Sequence, residues 1–167
     1  MRRTLMLGMA LLVAPLLVGG VALAEKINCD GVAGCFGTPN DDTLTGGDGA
    51  DIMHGLDGND TLVGGGGADV VTGEVGNDTL GGGAGNDQLE DAGGTDLLNG
   101  GRGDDQIVAF DTVFPLGVDT IEGGRGNDTI FANDSFKDVI DCGSGKDRVK
   151  FDAKLDKVRN CEIKTPV

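Results

Sequence analysis

The amino-acid sequence predicts an all-β fold made by stacking one short unit many times, and three observations predict it. Asp recurs at Asp42, Asp51, Asp60, Asp69, Asp78, Asp87, Asp96 and Asp105, an unbroken spacing of nine. A large aliphatic follows each of them by two residues: Leu44, Met53, Leu62, Val71, Leu80, Leu89, Leu98 and Ile107. Glycine usually sits two residues before the Asp. A short fixed period held in register over many copies is the signature of a repeat architecture, in which each unit buries its apolar residue only against its neighbours.

The first 24 residues are set apart from that fold. Arg2 and Arg3 precede an apolar run from Leu5 to Ala24 that ends in Ala22-Leu23-Ala24, the pattern of a secretory signal peptide cleaved before Glu25. An uncleaved anchor is the alternative, since about 20 apolar residues span a bilayer, but Pro15, Gly19, Gly20 and the small-residue ending favour removal. Both readings put the rest of the chain outside the cytoplasm, and the first leaves no membrane insertion after cleavage.

The remaining chain, Glu25–Val167, carries 11 basic residues against 28 acids, a net charge of −17 with no Trp or Tyr. Such a surface repels nucleic acid and anionic lipid, so no nucleic-acid partner is expected. Few aromatics and a high net charge would ordinarily mean disorder, unless a multivalent cation neutralises the acids. Residues 25–37 are expected to form an N-terminal disulfide cap. All four cysteines, Cys29, Cys35, Cys142 and Cys161, lie in this part of the chain, and an even number suits an oxidising compartment. Three connectivities are open. Pairing Cys29 with Cys35 and Cys142 with Cys161 is preferred, because each pair sits at one end of the repeats.

The repeat array is expected over 38–131. Its units GGDGADIMH, GLDGNDTLV, GGGGADVVT, GEVGNDTLG, GGAGNDQLE and GGRGDDQIV follow the form GGxGxDxUx, where U is the aliphatic. Alternate side chains of a strand point to opposite faces, so U turns inward while its neighbours meet solvent. The glycines serve a turn that needs positive φ and close backbone approach. After Val108 the frame holds only with insertions. Five residues, Ala109 to Val113, are read as an insertion at 109–113, after which Asp119/Ile121 and Asp128/Ile130 resume the pattern. One further inserted residue, Ala132, aligns Asp138/Ile140, Asp147/Val149 and Asp156/Val158. Over 132–167 the glycines thin out, with Phe136 and Lys154 in glycine positions, so degenerate coils and a second disulfide cap are expected there.

Over roughly Gly37 to Lys150 the array resembles the RTX, or hemolysin-type, calcium-binding repeat family of bacterial secreted proteins. The stretches VIDCGSGKDRVKFDAKLDKVRNCE and NCDGVAGCFGTPNDDTLTG look like the ends of small secreted, actinobacterial-type members. The resemblance implies a parallel β-roll, the RTX β-solenoid, with xUx as a short strand, GGxGxD as a turn, two nine-residue repeats per coil of 18 residues, and disulfide-clamped ends.

In such a coil, aspartates 18 apart stand on adjacent rungs about 4.7–4.9 Å from each other. Ca²⁺ takes 6–8 oxygen ligands at roughly 2.3–2.6 Å, so one ion between two rungs reaches a carboxylate on each while loop carbonyls complete its shell. Several Ca²⁺ ions are therefore expected. The best pairs are Asp51/Asp69, Asp60/Asp78, Asp69/Asp87 and Asp87/Asp105, whose turns keep the most glycines; Asp42/Asp60 and Asp78/Asp96 are weaker because of the TPN and DAGG variants, and Asp128 closes a further site. The glycines assigned to these turns are Gly46, Gly47, Gly49, Gly55, Gly58, Gly64, Gly65, Gly67, Gly82, Gly83 and Gly85. Mg²⁺ fits less well because it keeps its waters in near-octahedral geometry. Zinc lacks its usual ligands. Because folding gathers the acids, ion binding and folding are expected to be coupled.

No catalytic residues are assigned. His54 is the sole histidine and sits at an outward x position, which excludes HExxH. Ser135 and Ser144 are the only serines, and neither lies in GxSxG. The alternatives carried forward are an extracellular structural or adhesive module, an accessory to a secreted hydrolase, and an ice-binding face. The last would use Thr43, Thr61 and Thr79, a stripe that breaks at Leu97.

Overall fold

The computed structural model describes residues 26–30 and 34–167; the expected signal segment 1–24 lies outside the described residues. These residues form strands β1 (Lys26–Asn28), β2 (Cys35–Phe36), β3 (Thr43–Thr45), β4 (Ile52–Asp57), β5 (Thr61–Gly66), β6 (Val70–Val75), β7 (Thr79–Ala84) and β8 (Gln88–Asp91). There follow β9 (Leu97–Arg102), β10 (Gln106–Ala109), β11 (Thr120–Arg125), β12 (Thr129–Ala132), β13 (Val139–Ser144), β14 (Arg148–Phe151), β15 (Lys157–Arg159) and β16 (Ile163–Pro166). The odd-numbered strands make one eight-stranded parallel sheet in chain order, and the even-numbered strands make the other. The chain is thus a parallel β-roll that alternates between two sheets, one repeat to each, as expected.

Register follows from the period. Thr43 pairs with Thr61 and Leu44 with Leu62 in one sheet, and Ile52 pairs with Val70 and Met53 with Val71 in the other, all 18 residues apart. Seven of the strands run to six residues rather than the expected three. In β5 and β7 pairing continues through the glycines, with Gly65 opposite Gly83. Those backbones extend together because no side chain intervenes between the coils.

The interior is one column of aliphatics. Leu44, Met53, Leu62, Val71, Leu80, Leu89, Leu98, Ile107, Ile121, Ile130, Ile140 and Val149 are all at most 2 % exposed, and each buried side chain of this kind contributes roughly 1.5–3 kcal/mol. Val158 packs against the column while partly buried. Disulfides join Cys29 to Cys35 and Cys142 to Cys161, one pair near each end of the roll. His54 stacks on Phe36 on the outer face, ring centroids 4.9 Å apart, with Nδ1 3.5 Å from Glu74.

The insertion lies later than its expected position at 109–113. Ala109 is fully buried and still pairs with Asp91 at the regular offset of 18, and the Phe110 N–H donates to the Asp91 carbonyl. A Cβ on Gly117 would stand 1.8 Å from the Gly94 oxygen, so by Gly117 the chain has returned, now at an offset of 23. The extra residues therefore loop out between these points, where Val113, Phe114 and Leu116 are exposed. A small apolar residue at 109 is worth more inside the coil than in a loop. Ala132 likewise stays in β12, buried and opposite Phe151, so the single extra residue falls after it, before β13.

Candidate metal-binding columns

The spacing of 18 sets the repeat aspartates in two files, one along each edge of the roll. Asp42, Asp60, Asp78, Asp96, Asp119, Asp138 and Asp156 enter the odd-numbered strands; Asp51, Asp69, Asp87, Asp105, Asp128 and Asp147 enter the even-numbered ones. All but Asp156 are at most 3 % exposed. Within each file one hydrogen bond repeats. The Asp51 N–H donates to Oδ1 of Asp69 at 2.9 Å, Asp69 to Asp87 at 2.9 Å, and Asp87 to Asp105 at 2.9 Å. Opposite, Asp42 donates to Asp60, Asp60 to Asp78 and Asp78 to Asp96, each at 2.7 Å. The pattern runs past the insertion, from Asp96 to Asp119 and from Asp105 to Asp128, and ends where the Asp147 N–H meets Glu162 Oε2 at 2.9 Å.

The second carboxylate oxygen has no such role. Oδ2 of Asp60, Asp69, Asp78, Asp87, Asp96, Asp105, Asp128, Asp138 and Asp147 is buried without a hydrogen-bond partner, as is Oδ1 of Asp51. Buried polar atoms are nearly always satisfied in folded proteins, and an unsatisfied one costs roughly 1–3 kcal/mol, more when charged. Burial pushes these acids up despite the N–H each accepts: Asp60, Asp78, Asp96 and Asp128 to about 6, and Asp105, Asp119 and Asp138 to about 7. Burial raises Asp69, Asp87 and Asp147 as well.

The glycines keep open the space that Oδ2 faces. A Cβ on Gly64 would lie 2.3 Å from Oδ2 of Asp69 and 2.6 Å from the Gly82 carbonyl oxygen. A Cβ on Gly82 would meet Oδ2 of Asp87 at 2.4 Å and the Gly100 oxygen at 2.7 Å. Each turn is thus bounded by a carboxylate oxygen of its own coil and a carbonyl oxygen of the next, a donor set that fits a hard cation such as Ca²⁺.

The expected glycines divide among three roles. Gly46, Gly55, Gly64 and Gly82 clear the space beside Oδ2, as just described for two of them. Gly47, Gly65 and Gly83 follow them, and Gly65 and Gly83 have φ of +107° and +109°. Gly58, Gly67 and Gly85 adopt φ of +120° to +138° against the preceding coil, whereas Gly49 meets nothing within 4 Å. Gly73, Gly76, Gly94, Gly100, Gly101, Gly103, Gly123, Gly124 and Gly126 stand in equivalent places and were missing from the expected set. So were Asp119, Asp138 and Asp147, which the repeat aligns but which lie past the insertion, where the glycines thin out.

Two further residues without a place in the motif reach the odd-strand edge. One oxygen from each of Asp78, Asp91 and Asp96 lies within 4.8 Å of the other two, and Asp96, Asp111 and Asp119 form a second such group. Burial, reinforced by Asp96 and Asp78, pushes Asp91 up to about 9. The Asp78/Asp96 turn, expected to be weak, therefore gains a third carboxylate, as the Asp96/Asp119 turn after it does. The signal was present as DAGG, an acid where other repeats carry glycine. At the Asp42 turn the variant acts differently, since Thr38 Oγ1 donates to Oδ2 of Asp42 at 2.8 Å.

Four segments, 36–71, 54–89, 72–107 and 116–149, match the RTX calcium-binding nonapeptide repeat. Comparisons with curated proteins and with solved structures return no match.

Proposed function

The chain belongs to the RTX calcium-binding nonapeptide repeat family, whose repeat matches well over half of its length, and from that we propose that it is an exported Ca²⁺-binding protein whose folding is driven by ions held between successive GGxGxD turns. The observation that carries this reading is the file of buried Oδ2 atoms, nine of them without a partner on the protein. An ion on each edge, between two coils, would take a carboxylate oxygen from each of them together with the glycine carbonyls beside it. The aspartates Asp42, Asp51, Asp60, Asp69, Asp78, Asp87, Asp96, Asp105 and Asp128 are assigned as ligands, and the count extends to Asp119, Asp138 and Asp147.

Coupling follows from the energetics. Bringing these carboxylates together in a dry edge opposes folding until a cation neutralises them, so binding free energy becomes folding free energy. Export agrees with the Arg2-Arg3 and Ala22-Leu23-Ala24 pattern and with the two disulfides. A module that binds at the affinity usual for extracellular sites, about 10⁻⁴–10⁻³ M, stays open inside the cell and closes outside. The reading assigns it binding and no catalytic step. Far-UV circular dichroism of the purified chain at about pH 8, above the raised values of the repeat carboxyls, tests the coupling: a β spectrum is expected in millimolar Ca²⁺ and its loss in EDTA, and an unchanged β spectrum after chelation overturns it.

A further inference from the structure

Asp91 stands where Gly73, Gly82 and Gly100 stand in neighbouring repeats, two residues after a core aliphatic. Its side chain turns inward. The residue is 3 % exposed, Oδ1 accepts the Ala92 N–H at 2.7 Å, and Oδ2 has no partner. A Cβ on Gly73 would lie 2.7 Å from that Oδ2 and 2.6 Å from Oδ2 of Asp78, so both atoms border the same glycine-cleared space. Oδ2 of Asp96 is also unpartnered, and the three carboxylates come within 4.8 Å of each other.

The next turn of this edge repeats the arrangement by another route. Asp111, 7 % exposed, is held by the N–H groups of Gly94 at 3.2 Å and Gly117 at 2.7 Å, which places it beside Asp96 and Asp119 where the inserted loop departs and returns. Among the described residues no basic side chain pairs with these five acids; the ion pairs join His54 to Glu74 and Arg159 to Asp141, and neither includes one of them.

Resting on the calcium reading above, we infer that Asp91 and Asp111 turn two consecutive turns of the odd-strand edge into three-carboxylate Ca²⁺ sites that share Asp96 and fill before every other turn. An ion between Asp60 and Asp78 meets two repeat carboxylates; an ion between Asp78 and Asp96 meets three. Ligand charge count, together with site rigidity, sets Ca²⁺ affinity among oxygen sites. Because Asp96 serves both groups, the first ion draws it toward a position that the second also uses. The loaded pair also lies at the middle of the roll, where folding can spread in both directions, as nearest-neighbour stacking allows in a solenoid.

Calorimetric titration of the full purified chain with Ca²⁺ tests this. The wild type is expected to show a tight class ahead of a weaker one. Asp91→Asn, and Asp91→Gly, which restores the regular turn, are expected to weaken the tight class about tenfold or more while leaving the weaker class in place. Asp87→Asn, on the opposite edge, is expected to spare the tight class. The β spectrum at saturating Ca²⁺ reports that each variant folds. A single class in the wild type, or a tight class unmoved in folded Asp91→Gly, overturns the inference and leaves the calcium reading standing. No uptake by the wild type at millimolar Ca²⁺ overturns the calcium reading itself.

Discussion

The Asp69 N–H donates to Oδ1 of Asp87, 2.9 Å away and one coil later, while Oδ2 of each residue stays buried and unpartnered. From Asp60 to Asp105, one oxygen of each repeat aspartate thus ties two coils together and the other faces the space between them. This division gives the carboxylate opposite effects with and without an ion.

Asp69→Asn separates the two effects. The amide oxygen can still accept the Asp51 N–H, but the buried charge is gone. In EDTA the variant is expected to gain stability, on the order of 1–3 kcal/mol. In saturating Ca²⁺ it is expected to lose stability relative to wild type. Thermal unfolding followed by circular dichroism in Ca²⁺ and in EDTA, both at about pH 6 where the metal-free roll still folds, checks this, and a shift of the same sign in both would contradict the assignment.

The metal-free roll is expected to be an acid-stable fold. Burial raises Asp60, Asp78, Asp96 and Asp128 to about 6 and Asp105, Asp119 and Asp138 to about 7, above a reference of 3.8. Raised acids bind more protons folded than unfolded, so their contribution is full below the reference value and is lost as pH rises through the folded values. Urea midpoints in EDTA should therefore fall between about pH 4 and about pH 7. A midpoint that rises across this window would refute the burial argument.

Gly76 and Gly49 hold the same position in their repeats and differ in surroundings. A Cβ on Gly76 would lie 1.5 Å from the Gly58 oxygen at a φ of +152°, whereas one on Gly49 meets nothing within 4 Å. Gly76→Ala is expected to cost several kcal/mol, since an L side chain in that backbone region is strained by itself and the coils must also part. Gly49→Ala is expected to stay within about 0.5 kcal/mol of wild type, the usual range for surface changes. Paired melting curves in Ca²⁺ decide it.

The disulfide between Cys142 and Cys161 closes a stretch of 19 residues and ties β13 to the segment after β15. Replacing both cysteines by serine is expected to destabilise the last coils by roughly 3 kcal/mol in the chain-entropy model. Hydrogen exchange should report the loss at 139–167 while the amides of β5 to β9 keep their protection. Uniform loss across the roll would mean that the chain unfolds as a single unit.

Much of this protein can be read without coordinates because its information is periodic. A spacing of nine, halved from a coil of 18, assigns every core aliphatic from Leu44 to Val149 and both files of aspartates, since position in the repeat alone determines whether a side chain turns in, out or into the edge. The breaks in the period are another matter. Ala109 and Ala132 read as inserted residues yet stay in their strands, because a buried alanine continues the coil and the loop forms where the chain next meets solvent. Asp91 and Asp111 read as defects in the motif. Only the stacking of coils brings them to Asp78, Asp96 and Asp119, residues 5 to 15 positions away, and such proximity is set by packing, which a one-dimensional pattern does not contain.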